Sequence, residues 1–253
     1  MVLLAHVSDL HLDGSRRAAA RAKGVLDFLD GLLRPVDALL LTGDLTDHGT
    51  EAEYEQVLAL LGSTRRVLTC PGNHDDRGPW RTVLLGEPTS DAPINQVHDL
   101  AGVRIVTCDS SIPGRDDGYL ADETLQWLAD VLRQPSGATP TPVLVAFHHP
   151  PVLLGSPFID GIRQRGADRL AALLADHPQV VALLCGHAHT AAASTFAGRP
   201  LLVAPGVAST LRLPWETDID LDEHMPPALA FHVLRRRSTA HDPLPTAPDL
   251  ASG

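Results

Sequence analysis

Seven short apolar runs with few charges recur along the chain, at 2–7, 38–41, 66–69, 103–107, 143–147, 180–184 and 201–204. Each has strand length and too few polar residues to leave one face in water, so these strands are expected to be covered on both sides. Four of the intervening segments, 16–33, 51–61, 122–132 and 167–176, carry apolar residues at helical spacing. Helix-start residues stand before or at three of them: Ser15, Thr50 followed by Glu51 and Glu53, and Asp122 followed by Glu123. Strands alternating with helices predict a layered α/β fold with largely parallel sheets. The runs 94–100 and 103–107, joined by Ala101-Gly102, read as a hairpin, which makes the sheets mixed.

No repeat or linker divides this pattern, so residues 1–237 are expected to form one domain. At 253 residues and 44% hydrophobic, the chain is ample for a buried core. Segment 135–142 reads as a loop, and the acidic, Pro-bounded stretch 213–227 as an irregular excursion before a last strand at 228–234. Residues 238–253, rich in Pro, Ala and Thr, are expected to be a disordered tail.

Polar residues collect directly after the strands. After the first comes Ser8-Asp9-Leu10-His11, and after the second Gly43-Asp44-Leu45-Thr46-Asp47. The third is followed by Gly72-Asn73-His74-Asp75, a later one by His148-His149-Pro150-Pro151, and the next by Gly186-His187-Ala188-His189. In parallel α/β sheets, ligand sites lie outside the carboxyl ends of the strands. Imidazole, carboxylate and amide oxygen are donors for hard and borderline divalent ions. Asp9, His11, Asp44, Asn73, His148, His187 and His189 are enough donors for two such ions sharing one carboxylate.

Composition narrows the function. Twenty basic against 31 acidic side chains give a net charge of −11, which disfavours long nucleic acids and acidic membranes as partners. A dinuclear cation centre would reverse the field locally and attract a small phosphate anion. With 13 histidines in the chain, Gly-His-Ala-His alone carries little weight. Five ordered blocks, each at a strand end, carry much more. The remaining histidines, His6, His48, His98, His177, His224, His232 and His241, belong to no motif and read as core, loop or surface residues, with His48 closest to a possible substrate. Cys70, Cys108 and Cys185 make no disulfide framework and read as buried packing thiols. No run reaches a membrane span, and the N-terminus has neither the basic region nor the cleavage site of a signal peptide. A cytoplasmic protein is expected, its oligomeric state open and a homodimer compatible.

Together the five blocks resemble the calcineurin-like metallophosphoesterase superfamily, whose pattern is Asp-x-His, Gly-Asp, Gly-Asn-His-Asp/Glu, His and Gly-His-x-His. The Gly-Asp-Leu-Thr-Asp and His-His-Pro-Pro stretches are most similar to its class III cyclic nucleotide phosphodiesterase and glycerophosphodiesterase branch. The resemblance implies a four-layer α-β-β-α sandwich with mixed sheets and a dinuclear metal centre. It implies that Asp9, His11 and His189 bind one ion, that Asn73, His148 and His187 bind the other, and that Asp44 bridges them. Manganese or iron is favoured by the resemblance, and zinc or cobalt suits the same donors. A hydroxide held between ions about 3.5–4 Å apart would attack the phosphorus. His74 matches the family's histidine beside the substrate phosphate and is expected to act as transition-state stabiliser or acid. Since catalytic imidazoles commonly set their other nitrogen on a carboxylate, Asp75 is expected to orient its ring.

The substrate expected first is a 3′,5′-cyclic nucleotide. A glycerophosphodiester is the nearest alternative, and a phosphomonoester a further one. The protein phosphatase branch has an arginine soon after its Gly-Asp block, and the stretch 43–49 here has none, so that reading is disfavoured. The non-enzyme alternative, a metal-bound interaction scaffold, predicts decay of the donor set, and every donor is in place.

Overall fold

The computed structural model describes residues 1–63, 65–134, 141–216 and 221–235. Strand β1 (Val2–Val7) leads to helix α1 (Arg16–Asp30), β2 (Ala38–Thr42) to α2 (Glu51–Leu61), and β3 (Val67–Cys70) to the short α3 (Arg77–Pro79) with its π-helical continuation Trp80–Leu85. A hairpin of β4 (Gln96–Leu100) and β5 (Val103–Thr107) follows, then β6 (Gly118–Tyr119), α4 (Asp122–Arg133) and β7 (Val143–Ala146). The one-turn α5 (Pro157–Gly161), β8 (Gln164–Arg165), α6 (Ala167–Ala175) and β9 (Val180–Cys185) come next. The last strands are β10 (Ala192–Phe196), β11 (Arg199–Val203), β12 (Thr210–Leu211), β13 (Leu221–Asp222) and β14 (Ala230–Leu234).

Two large sheets result among the described residues, ordered β14-β1-β2-β3 and β10-β11-β9-β7-β5-β4, beside the two-stranded ribbons β12-β13 and β6-β8. Their inner pairings are parallel. β14 closes an edge of the first sheet antiparallel, and β10 and β4 flank the second in the same sense.

Alternation along the strands makes the layers. Leu4, Leu40 and Leu68 face Ile105, Leu144 and Leu184 of the second sheet. Their sequence neighbours Ala5, Val7, Leu39 and Leu41 point the other way, against Val25 and Leu29 of α1 and Tyr54 and Val57 of α2. On the far side, Val106, Val145 and Leu183 pack on Leu128 of α4 and Leu170 of α6. Three cores between four layers give the expected α-β-β-α sandwich.

Local signals set most boundaries. Thr50 and Glu53 form a reciprocal capping box at the start of α2, and the Ser15 side chain accepts from the Ala18 N–H at the start of α1. Two expectations shift. Helix α1 stops at Asp30 rather than 33, because Leu33 has no core to enter and is fully exposed. Asp122 lies inside the first turn of α4, behind an Ala121 cap, where its charge faces the positive helix end. Strand β10 escapes a hydrophobicity reading because Ala193, Ser194 and Thr195 are small or polar and exposed on a sheet edge. Residues 135–140 of the expected loop, 217–220 of the acidic stretch and the expected tail from Ser238 onward, His241 included, lie outside the described residues.

Candidate metal centre

The loops after β1, β2, β3, β7 and β9 meet at one end of the sandwich and bond to one another. The Asp9 N–H donates to the Gly43 carbonyl at 3.1 Å and the His11 N–H to that of Asp44 at 3.0 Å. The His187 N–H donates to Asp9 Oδ1 at 3.1 Å, and the His74 N–H to Asp44 Oδ1 at 2.9 Å.

Such close loops force unusual backbone. Asp9, His11, Asp44, His187 and His189 all have φ between 44° and 68°. Among the described residues only two other non-glycines have a positive φ, Ala101 and Ala197, both in hairpin turns. This left-handed region costs an L-residue roughly 1–2 kcal/mol. Five of the seven donors therefore sit in conformations that local energetics disfavour, a concentration typical of functional sites. The glycines make room. A Cβ on Gly72 would fall on Asp44 Oδ1, and one on Gly43, itself at φ +90°, would lie 2.5 Å from His148 Nδ1.

Two donor groups emerge, both touching Asp44. In the first, His11 Nε2 lies 3.1 Å from His189 Nε2, and His189 Nε2 lies 3.5 Å from Asp9 Oδ1. In the second, His148 Nε2 lies 3.2 Å from Asn73 Oδ1 and 3.2 Å from His187 Nδ1. Asp44 Oδ2 stands between them, 3.5 Å from His11 Nε2 and 3.2 Å from His148 Nε2. All seven sequence-predicted donors are thus brought together.

Outer hydrogen bonds aim the inner nitrogens. His148 Nδ1 lies 2.6 Å from the Thr42 carbonyl, which only accepts, so the ring proton sits there and Nε2 offers a lone pair. His11 Nδ1 donates to Asp47 Oδ1 at 2.8 Å, and His189 Nδ1 pairs with the Ser209 hydroxyl at 2.8 Å. Lone pairs facing each other 3.1–3.2 Å apart need a proton or a cation between them. Asp9 Oδ2 is buried with no hydrogen-bond partner. Nitrogen and oxygen donors, converged and unsatisfied, fit two divalent ions.

The electrostatics agree. Burial opposes the charge on Asp44, but His148, His11 and His74 outweigh it and hold the carboxyl well below its usual range. Burial likewise opposes charging His148, yet Asp44 and Asp9 raise it to about 9. Burial and His148 push His187 far down, and His189 is lowered by burial above all. A cation would take the place of the proton that His148 holds.

His74 stands at the rim, about two-fifths exposed, and its ring meets that of His11 edge-on at 4.6 Å. The expected orientation by Asp75 is not found. Asp75 is buried and turned away, accepting from Leu45 N, Thr46 N and Oγ1, Gly72 N and Tyr54 Oη, so it ties the Asp44 loop to the Gly72 loop. Burial, and then the Asp44 charge, push its pKa up to about 6. Asp47 takes the expected place instead: its carbonyl accepts from His74 Nδ1 at 2.9 Å while its carboxylate holds His11. Its position in Gly-Asp-Leu-Thr-Asp was the available signal. Ser209, far along the chain in no motif, gave none.

His149 stays out of the donor set, since its Nδ1 bonds Ser110 Oγ and its Nε2 the Asp116 carbonyl. His48 pairs with Glu53, away from the cleft. The three thiols are buried and belong to no donor cluster among the described residues. A cleft of about 270 Å³ opens over the donors. The end of the acidic stretch is ordered at its rim: Leu221 and Glu223 line it, and Arg17 and Arg21 of α1 bond the Glu223 carbonyl.

Known proteins give the chain a family. The chain is 37% identical over 218 residues to a probable cyclic nucleotide phosphodiesterase of Rhodococcus erythropolis, covering 82% of this chain and 71% of that protein. It is 31% identical over 244 residues to a glycerophosphodiester phosphodiesterase of Enterobacter lignolyticus, covering 91% and 86%. A dimetal phosphatase from Danio rerio shares the fold, with a TM-score of 0.67 at 16% identity over 91% of each chain. The family model described as calcineurin-like phosphoesterase matches residues 2–191. From β1 to the last of the five polar blocks, then, this chain belongs to the calcineurin-like phosphoesterase family.

Proposed function

We propose that this phosphoesterase is a metal-dependent phosphodiester hydrolase acting on a small diester, a 3′,5′-cyclic nucleotide first, and that residues 1–237 are its catalytic domain. The observation that carries the proposal is the pair of donor groups meeting at Asp44, with five of their seven residues in left-handed backbone. Asp9, His11 and His189 hold one ion, Asn73, His148 and His187 the other, and Asp44 both. Two divalent cations, manganese or iron favoured, supply Lewis acidity there: a nucleophilic water near neutral pH and neutralisation of the phosphoryl oxygens.

The chain's own groups do the rest. Thr42, Asp47 and Ser209 fix the outer nitrogens of His148, His11 and His189, so the inner ones stay aimed. The Nδ1–H of His74 donates a hydrogen bond to the Asp47 carbonyl, which leaves Nε2 facing the cleft. In its imidazolium form, Nε2 donates to the phosphoryl oxygens or passes its proton to the leaving alkoxide.

A cyclic nucleotide is named first because the Rhodococcus relative carries that name at 37% identity. A glycerophosphodiester is the second reading, favoured by the Enterobacter relative that spans 91% of this chain. No helix among the described residues is long and apolar enough to cross a membrane. The three free thiols suit a reducing compartment, the cytoplasm.

The test is a substrate panel with added Mn²⁺ and, in parallel, a chelator. Cyclic AMP, glycerophosphocholine, bis-p-nitrophenyl phosphate and p-nitrophenyl phosphate form the panel. Metal-dependent cleavage of diesters is expected, and cleavage of the monoester alone would overturn the proposal.

A further inference from the structure

Beside the donor cluster, the cleft has a second character. Phe158 and Leu221 line it together with Ile162, and they are 51% and 40% exposed. Apolar surface left in water at a cleft wall is costly unless a ligand covers it. Phe158 is not a loose loop residue. Its neighbour Ile159 is buried in the core, and the Asp160 carboxylate accepts from Leu154 N at 2.7 Å and Gly155 N at 3.0 Å, which pins the turn of α5. The aromatic ring is therefore held at the cleft while its neighbours anchor it.

The polar rim narrows what can lie there. Apart from the proposed ligands and from Asp47 and His74 beside them, the cleft's charged lining is Asp13, Glu223 and Arg17. Arg17 is engaged with the carbonyls of Ala208 and Glu223, both at 2.9 Å, and its charge is met by the Glu223 carboxylate at 3.4 Å. A second phosphate would find carboxylates and no free cation among these residues, so one phosphate at the donor cluster is the limit. A flat ring carrying amino donors suits both the apolar walls and the carboxylates.

We propose that Phe158 and Leu221 wall a nucleobase subsite beside the metal centre, and that Phe158 sets a preference for a nucleotide diester over an aliphatic one. This rests on the phosphodiesterase function proposed above, and it assigns a base-recognising residue within it.

Calorimetric titration of the Mn²⁺-loaded chain with 5′-AMP and with inorganic phosphate tests it. Wild type is expected to bind 5′-AMP at least about tenfold more tightly than phosphate, given the usual strength of base–aromatic stacking. Phe158→Ala should weaken 5′-AMP binding by about tenfold while phosphate affinity moves by less than about twofold, and Phe158→Tyr should restore it. Equal binding of the two probes by wild type, or equal losses for both in Phe158→Ala, would overturn the subsite. Wild-type cleavage of bis-p-nitrophenyl phosphate separates the two failures. If cleavage occurs without a preference for 5′-AMP, the base subsite alone is wrong; if no diester is cleaved, the phosphodiesterase function falls first and the subsite with it.

Discussion

Asp47 serves two histidines at once, and that doubling decides which nitrogen each presents. Its carboxylate holds His11 at the proposed metal centre, and its carbonyl holds His74, the proposed substrate-facing histidine. His74→Ala is expected to lower kcat by roughly 10²–10⁴, the usual contribution of a positioned acid. Metal content per chain should stay at the wild-type value, because the ring lies outside the proposed ligand set. Retained activity in that variant would remove His74 from the mechanism. A pH dependence arises from His148, whose pKa rises from the ordinary imidazole range to about 9 in the metal-free fold. A raised folded value stabilises below the unfolded one and is lost as pH climbs through the folded one. Metal-free protein should thus lose stability between about pH 6.5 and 9, and Mn²⁺ uptake at pH 7 should release protons. Thermal melts across that window, and calorimetry in buffers of different ionisation enthalpy, measure the two effects. A flat profile with no proton release would contradict both.

Elements place these residues through contacts that span the chain. Tyr54 of α2 donates to Asp75, which links the loops after β2 and β3. Tyr54→Phe removes one donor from a buried carboxylate, expected to cost about 1–3 kcal/mol. At about 2–4 °C per kcal/mol for a chain of this size, the Tm should fall by several degrees. Ser209→Ala loosens the His189 ring and should weaken metal binding about 10- to 100-fold without a comparable loss of Tm. The five polar blocks were legible in sequence because each sits directly after a strand, where chain direction alone carries it to the same sheet end. The role of Asp75 is not legible in sequence, because a residue next to His74 in the chain points the opposite way across the turn. Strand β10 leaves no hydrophobic signal because an edge strand needs no apolar run, and Ser209 leaves none because its partner lies 20 residues away on another loop.

At the scale of the whole molecule, the sandwich converts two buried sheets into one rigid rim, and the left-handed donors are strained against it. Metal binding should relieve the facing lone pairs and so stabilise the entire fold. At 100 times the dissociation constant, one site contributes about 2.7 kcal/mol, a Tm rise of several degrees. Asp44→Asn should abolish most of that rise, since both donor groups share its carboxylate. The most direct test is an anomalous difference map from crystals of the Mn²⁺-loaded chain. Two peaks are predicted on either side of the Asp44 carboxylate, one against Asp9, His11 and His189, the other against Asn73, His148 and His187. A map without a peak at Asp44, from metal-saturated and fully folded protein, would contradict the account.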